Sequence, residues 1–158
     1  LTAVLNDINS YPEWMADVET TEILEEISEN ERYYHFEVDA PWPVSNRDNI
    51  IHYLLQKDPK TKGVVITATG YPDFIPRKKG VVRIPHSEGT WTFIPTGEKE
   101  CRVIFEYTAE TGGNLPVWVV NLFIVEGPFK TLSNLKKFVI TTSTKKSSYL
   151  NFINCNFV

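Results

Sequence analysis

The sequence predicts an α+β fold, in which a curved antiparallel β-sheet wraps around a long C-terminal α-helix. Three observations support this fold class. Six segments with the apolar pattern of strands follow one another, separated by short polar turns. A nearly continuous apolar segment of helical length comes after them. The 158 residues, 42% of them hydrophobic, are enough to bury one core.

The residues before the first strand predict short helices. Residues 1–8, LTAVLNDI, indicate the end of a helix, and SYPEWMADV after them indicates a turn or a short second helix. Because the chain starts at Leu1 within a helical pattern, we expect it to have been cut from a longer protein. We expect a soluble domain, since no apolar run approaches the ~20 residues of a membrane span. The compartment is not predicted.

Strands with a period of two make up the middle of the chain. The first two lie in VETTEILEEISENERYYHFEVDA and flank the polar turn at residues 28–31. In the second, Tyr34, Phe36 and Val38 share one face. Four further strands are predicted, the third of them bulged or turned between Pro85 and Gly89; they are RDNIIHYLLQKD, VVITATG, VVRIPHSEGTWTFIP and CRVIFEYTAET.

Residues 115–137 predict the long helix. Eight of the nine residues from Val117 to Val125 are apolar, all except Asn121, whereas a surface helix is polar on one side. We therefore expect the sheet to cover one side of this helix and the N-terminal helices to cover another. At ~1.5 Å per residue it would run roughly 35 Å, enough to cross the sheet.

The ends and the middle of this helix have their own signals. Asn114 is expected to cap its N-terminus, and Pro116 to lie in the first turn. Pro128 has no N–H to donate to the carbonyl of Ile124, so a kink is expected there.

Composition and residue spacing argue against several functions. The net charge of −4 disfavours nucleic acid as a partner. His35, His52 and His86 are scattered, and no nucleophile elbow, phosphate loop or nucleotide fingerprint occurs. We therefore predict no catalytic residues, no metal and no cofactor.

Four stretches of the sequence occur in the order and with the spacing of a known family. They are VLNDINSYPEWMADV, PWPVSNRDNI, ATGYPDFIPRKKGVVRI and GNLPVWVVNLFIVEGPFKTLSNLKK. In these the chain resembles START domains, the lipid-transfer modules of the helix-grip (SRPBCC) superfamily, which also includes birch-pollen-allergen-like proteins and polyketide cyclases. The resemblance covers residues 1–137. Residues 138–158 are expected to be the end of the helix or an atypical tail. The family places one more strand before Leu1.

The resemblance implies a function. It implies a deep cavity between the sheet and the C-terminal helix that holds one lipid or sterol-like molecule, without catalysis, and a monomer is favoured. It also implies that the loop at 71–79 and the C-terminal helix form a lid. Some family members carry a cavity arginine six residues beyond the Arg of the "RD" pair. Tyr53 occupies that position here, which argues against a head group that needs a buried cation.

The residues themselves suggest walls for such a cavity. A carrier must offer an apolar enclosure with a few polar groups that orient the ligand. The inward-facing strand candidates are Phe36, Val38, Tyr53, Leu55, Trp91, Phe93, Phe105 and Tyr107. On the helix, i, i+3 and i+4 spacing selects Val117, Asn121, Ile124 and Val125. The amide of Asn121 is expected to contact the ligand head group, or else to bond a buried backbone group or a water.

The loop YPDFIPRKKG pairs apolar and basic residues. Phe74 and Ile75 precede Arg77, Lys78 and Lys79. This pairing suits transient contact with an anionic membrane surface, and a simple solvated loop is the alternative. Arg47-Asp48 is interpreted as a local ion pair that fixes the entry to a strand.

Two other classes of function stay open at this point. A helix-grip enzyme of the polyketide cyclase/dehydratase type would use a few polar groups in the cavity, for which Tyr53, Asn121, Glu106 and His52 are candidates. A protein–protein module would instead bury the apolar helix in an interface through Trp118 or Phe123.

Overall fold

A computed structural model describes residues 2–97, 100–145 and 154–157. Three short helical segments precede the sheet: α1 (Thr2–Asn6), a 3₁₀ turn (Ile8–Ser10) and α2 (Tyr11–Trp14). The predicted short helices are thus confirmed. They bury their apolar side chains, because Leu5, Ile8 and Trp14 are each only 1% exposed.

Eight strands form one sheet in the described part of the chain. They are β1 (Val18–Ser28), β2 (Glu31–Val38), β3 (Arg47–Lys57), β4 (Val64–Gly70), β5 (Val82–Arg83), β6 (His86–Gly97), β7 (Glu100–Glu110) and β8 (Asn154–Phe157). Six of them are the predicted antiparallel meander, in which each pairs with the next. The short β5 pairs in parallel with β3, and β8 pairs in parallel with β7.

The segment VVRIPHSEGTWTFIP divides into two strands. β5 ends at Arg83 and β6 begins at His86, so the break falls at Ile84 and Pro85, at the start of the predicted region, and residues 86–89 belong to the strand. Pro85 has no N–H to contribute to a ladder. At the other end of the meander, Cys101 of β7 lies opposite Cys155 of β8, and Cys101 is disulfide-bonded, which the sequence analysis did not predict.

The C-terminal helix has three parts. α3 spans Val117–Asn121, a π-helical turn spans Leu122–Glu126, and α4 spans Gly127–Lys145. The expected cap at Asn114 is wrong, because Pro116 is the N-cap residue and its carbonyl accepts the N–H groups of Val119 and Val120.

The irregularity expected near Pro128 is a π-helical turn directly before it. The N–H of Gly127 donates to the carbonyl of Leu122, five residues earlier. Such a turn inserts one residue into the helical repeat and so rotates the residues that follow it. The helix then continues beyond residue 137 to Lys145.

The core lies between the inner face of the sheet and this helix. Leu135 is fully buried, and Val139 is nearly so, against an apolar cluster from the sheet and the N-terminal helices. The strand residues of the cluster are Val18, Tyr34, Phe36, Ile51, Tyr53, Ile66, Trp91, Phe93, Cys101 and Val103. The predicted architecture, a curved sheet with a long C-terminal helix across it, is therefore confirmed.

The sequence had suggested that the sheet covers one side of the helix and the N-terminal helices another. The structure instead leaves one side of the first half of the helix exposed. Val117, Trp118, Val125 and Phe129 are between 56% and 76% exposed. The N-terminal helix α2 packs on α4. One apolar side of the helix, formed by the four exposed residues, faces solvent. Each helix in the described part of the chain is too short or too polar to span a bilayer.

Candidate ligand-binding site

An apolar cavity of about 110 Å³ lies between the sheet and the C-terminal helix. The strands supply one wall, the π-helical turn and the start of α4 supply the other, and the segment after α2 closes one end. The lining residues are Met15, Ala16, Asp17, Val18, Phe36, Val38, Arg47, Ile84, Phe105, Tyr107, Ala109, Thr111, Phe123, Ile124, Gly127, Pro128 and Thr131.

Four of the predicted strand residues line this cavity: Phe36, Val38, Phe105 and Tyr107. The phenol of Tyr107 brings a hydroxyl group to the wall, and burial raises its pKa to about 12, so it is a neutral donor. The alternation of β2 and β7 places these side chains on the inner face, as predicted.

The other predicted strand residues lie deeper in the domain. Tyr53 and Trp91 line a second void of about 20 Å³ under the N-terminal helices. The Tyr53 hydroxyl donates to Oδ1 of Asn6 at 2.9 Å, and burial raises its pKa to about 12. Phe93 belongs to the buried cluster and Leu55 packs against it. These four residues hold the core together and do not reach the main cavity.

The helix presents a different face from the predicted one. Of its four predicted residues only Ile124 lines the cavity. Val117 and Val125 are 76% and 62% exposed, and Asn121 is also exposed, so the structure contradicts their assignment to the wall. The inward face begins at the fully buried Val119, before the π-helical turn, and continues through Phe123, Gly127 and Thr131. The predicted face is two residues away from it, because a segment that is apolar on nearly every side does not show which side is buried.

Asn121 therefore needs neither of its predicted partners. Its amide is exposed and can bond to solvent. The amide would need a protein or ligand partner only if the helix were covered on that side and the amide were buried.

Arg47 lines the cavity, although the sequence had suggested that it forms a local ion pair with Asp48. It is 4% exposed and its side chain lies on the inner face of β3, with its guanidinium carbon 6.0 Å from the ring centre of Phe123. Burial lowers its pKa. A period of two from the inward-facing Tyr53 places Arg47 inward as well, so the sequence contained the signal.

The predicted local ion pair between Arg47 and Asp48 is wrong, because neighbouring strand residues point to opposite faces. Asp48 instead accepts two hydrogen bonds from Arg83, at 2.9 and 2.8 Å, and its Oδ2 lies 3.1 Å from Nε2 of His35. Burial alone would raise the pKa of Asp48, but the hydrogen bonds from Arg83 and His35 outweigh it and lower the pKa.

The loop at 71–79 is fixed on the sheet and does not line the cavity. Phe74 stacks on Tyr33 with the ring centres 4.3 Å apart, and Arg83 donates to the carbonyl groups of Pro72 and Ile75. Tyr33 alternates with the inward-facing Tyr34, so Phe74 and Ile75 lie over the outer face. The predicted lid role of this loop therefore does not agree with its position.

The basic residues of the loop differ in their contacts. Lys78 pairs with Glu37 at 2.7 Å, and this hydrogen bond lowers the pKa of Glu37. Arg77 makes a long, exposed contact of 4.0 Å with Asp73, and Lys79 is exposed. Contact of Arg77 and Lys79 with a membrane remains a prediction.

The polar side chains that a cyclase-type enzyme would use do not lie together at one site. Tyr53 is bonded to Asn6, His52 Nε2 lies 2.8 Å from Glu31 Oε1, and Asn121 and Glu106 are exposed. No group of three or more His, Cys, Asp or Glu side chains suited to a metal ion occurs among the described residues.

Comparison with known proteins agrees with this architecture. The START domain family matches residues 1–143, and the chain belongs to that family. A STAR-related lipid transfer protein from Xanthomonas axonopodis has a similar structure, with a TM-score of 0.74 and 37% identity over 85% of this chain and 74% of that one. The fold is therefore the helix-grip fold of START domains.

Two curated relatives are similar in sequence. The protein PA1579 of Pseudomonas aeruginosa, whose function is uncharacterized, is 31% identical over 137 residues, which are 86% of this chain and 66% of that protein. The phosphatidylcholine transfer protein of Mus musculus is 28% identical over 142 residues, 87% of this chain and 64% of that protein. The chain thus spans slightly less than two thirds of the length of these relatives.

Proposed function

We propose that this domain binds one lipid molecule in the cavity between the sheet and the C-terminal helix and transfers it between membranes. The observation that supports this proposal is an apolar cavity at that position in a START domain. The names of the Mus musculus relative and of the Xanthomonas axonopodis protein support lipid transfer as the activity.

The physical requirement for a carrier is an apolar enclosure. Each CH₂ group of an acyl chain costs ~0.8 kcal/mol when exposed, so a 14-carbon chain is disfavoured in water by about 11 kcal/mol. The aromatic and aliphatic side chains that line the cavity replace water around such a chain, and its few polar groups can orient a head group.

The cavity must widen before it can enclose a lipid. At about 110 Å³ it is smaller than the roughly 300–1,000 Å³ of typical ligand pockets. The π-helical turn and Gly127-Pro128 form the movable wall in this proposal, because Pro128 has no N–H and one backbone hydrogen bond is therefore missing there. Movement of the helix, rather than of the 71–79 loop, then admits the ligand.

The exposed apolar face of the helix supports contact with a bilayer. We define this helix face as Val117, Trp118, Val125 and Phe129, which are exposed. It lies on the same helix as Phe123 and Ile124 of the cavity wall, so a lipid that leaves the cavity there would pass directly into the membrane. Arg77 and Lys79 are proposed to add electrostatic attraction to anionic lipids.

This proposal includes no covalent step. The protein would only lower the energy barrier for a lipid to leave the membrane. The cyclase alternative is less favoured, because Tyr53, His52, Asn121 and Glu106 do not share one site.

Native mass spectrometry of the purified protein tests the proposal. We expect one lipid mass bound per protein chain, which organic extraction releases and identifies. A protein that is empty as purified, and that takes up no fluorescent phospholipid, sterol or fatty acid from a panel, would refute it. Sedimentation in the same buffer is expected to show a monomer.

A further inference from the structure

Arg47 is a buried cation in the wall of an otherwise apolar cavity. The residue is 4% exposed and lines the cavity beside Val38, Phe123 and Ile84. The cavity has one other charged lining residue, Asp17, whose Oδ1 is bound by Lys130 at 2.7 Å. Arg47 has no salt-bridge partner in the described part of the chain, in contrast to Arg83 on the outer face, which has Asp48.

The hydrogen-bonding capacity of Arg47 is largely unused. Its Nη1 donates to the carbonyl of Ser45, and its Nε is buried without a hydrogen-bond partner among the described atoms. A guanidinium has five N–H donors in a planar fork, so most of them have no acceptor among the protein atoms that the structure describes. Leaving a buried charge unpaired costs several kcal/mol.

The chemistry of this group selects its ligand. A guanidinium fork matches the two oxygens of a carboxylate or a phosphate, and the pair is stronger where water is excluded. Arginine is not deprotonated in proteins, so the charge persists despite burial. A partner must therefore bring a negative oxygen group into an apolar cavity, which describes an amphiphile with an anionic head.

We propose that Arg47 is the receptor for an anionic oxygen group, a carboxylate or a phosphate, on the lipid whose apolar part occupies the cavity. This inference rests on the proposed lipid-binding function and specifies its ligand class. The absence of an arginine at Tyr53 had argued against such a head group, and Arg47 supplies the cation from another position on the same face of β3.

The experiment compares ligands that share one tail. Binding of oleate, oleoyl lysophosphatidate and the neutral oleyl alcohol is measured on the full chain by displacement of a fluorescent fatty alcohol. We expect at least one of the two anionic ligands to bind about tenfold to hundredfold more tightly than the alcohol. The better of the two identifies whether a carboxylate or a phosphate is preferred. Inorganic phosphate, which has no tail, is expected not to displace the probe.

Two variants assign this preference to Arg47. In Arg47→Met the anionic preference should vanish while the affinity for oleyl alcohol stays within about twofold, since Met has a similar length and no charge. The melting temperature of the ligand-free variant should not fall, because a buried unpaired charge has been removed. Arg47→Lys should keep the preference in weakened form, because the charge remains but the fork is lost.

The outcomes separate the two proposals. If wild-type protein binds oleyl alcohol and both anionic ligands equally, or if Arg47→Met keeps the preference, the role of Arg47 is refuted and lipid binding stands. If the wild-type protein binds none of the three, the role of Arg47 is refuted, and lipid binding fails as well only if the wider panel of phospholipid, sterol and fatty acid is also not bound. Displacement by inorganic phosphate alone would show a simple anion site and would also refute the inference. If Arg47→Met does not fold, the wild-type comparison and Arg47→Lys still decide.

Discussion

Two arginines on the paired strands β3 and β5 show how local environment determines the role of a residue. Arg83 and Asp48 are both buried on the outer face, where they form a two-bond ion pair, and each side chain is only 1% exposed. Arg47, one residue before Asp48, lies on the inner face without such a partner. The first pair stabilises the fold, and the second arginine is available to a ligand.

Asp48→Asn is expected to destabilise the domain by about 3–5 kcal/mol, because it leaves the Arg83 charge buried without a counter-ion. Urea denaturation followed by circular dichroism measures this change. Asp73→Asn is the matched control, since Asp73 and Arg77 form an exposed pair 4.0 Å apart that should contribute less than ~1 kcal/mol. Equal effects of the two substitutions would contradict this account of Asp48.

The same variant has a signature in pH. The pKa of Asp48 is lowered in the folded state, so its stabilisation is present above the ordinary value of 3.8 and is lost as the pH falls through the lowered pKa. The difference in unfolding free energy between wild type and Asp48→Asn should therefore shrink below about pH 4. A difference that stays constant down to pH 2 would show that the carboxylate charge is not the cause.

Single residues could be predicted from the sequence only where strand alternation applies. Phe36, Val38, Phe105 and Tyr107 were placed correctly on the inner face because a strand has a fixed period of two. The partner of Asp48 could not be read in the same way, since Arg83 is 35 positions away and meets it through the parallel pairing of β5 with β3.

At the scale of elements, the C-terminal helix is where sequence and structure differ most. The sequence predicted its existence and its position over the sheet, and both are observed. The face predicted to point inward was wrong, because the buried face passes through Val119, two residues from the predicted Val117 and Asn121, in a segment that is apolar on nearly every side. Pro128 signalled an irregularity, but a proline alone does not specify whether the helix kinks or inserts a residue.

The exposed helix face allows a test of membrane contact. Replacing both Trp118 and Phe129 by Gln should weaken binding to phosphatidylcholine vesicles by about tenfold or more, because two large apolar side chains can no longer enter the bilayer. The melting temperature should change little, since both residues are exposed. Vesicle flotation and thermal denaturation measure the two quantities.

A buried residue of the same helix provides the control for that experiment. Leu135→Ala should lower stability by about 2–5 kcal/mol, because Leu135 is fully buried, while the folded variant still binds vesicles. If the double substitution leaves vesicle binding unchanged, the helix face is not a membrane contact. If instead it dissociates a wild-type dimer, the helix face is a protein interface.

At the scale of the whole molecule, the order of the elements was the most predictable property. Short turns between consecutive strands favour an antiparallel meander, and an apolar helix at the end must cover its inner face. The volume of the enclosed space was not predictable, since it depends on how far each side chain fills the gap between the two layers. The structure shows a small cavity where the resemblance implied a deep one.

The central claim is that this cavity, between the sheet and the helix, is where the lipid binds. Ile124→Trp places an indole ring in the cavity, where the smaller isoleucine side chain lies in the wild type. Val125→Trp adds the same ring at the neighbouring, exposed position of the helix. Both variants are checked for folding by circular dichroism, because overpacking costs about 1–3 kcal/mol.

The deciding measurement is the number of lipid molecules bound per chain, by native mass spectrometry, in wild type, Ile124→Trp and Val125→Trp. The account predicts one lipid in the wild type and in Val125→Trp, and little or none in Ile124→Trp. One bound lipid in all three proteins would contradict it, because the ligand would then occupy some other place.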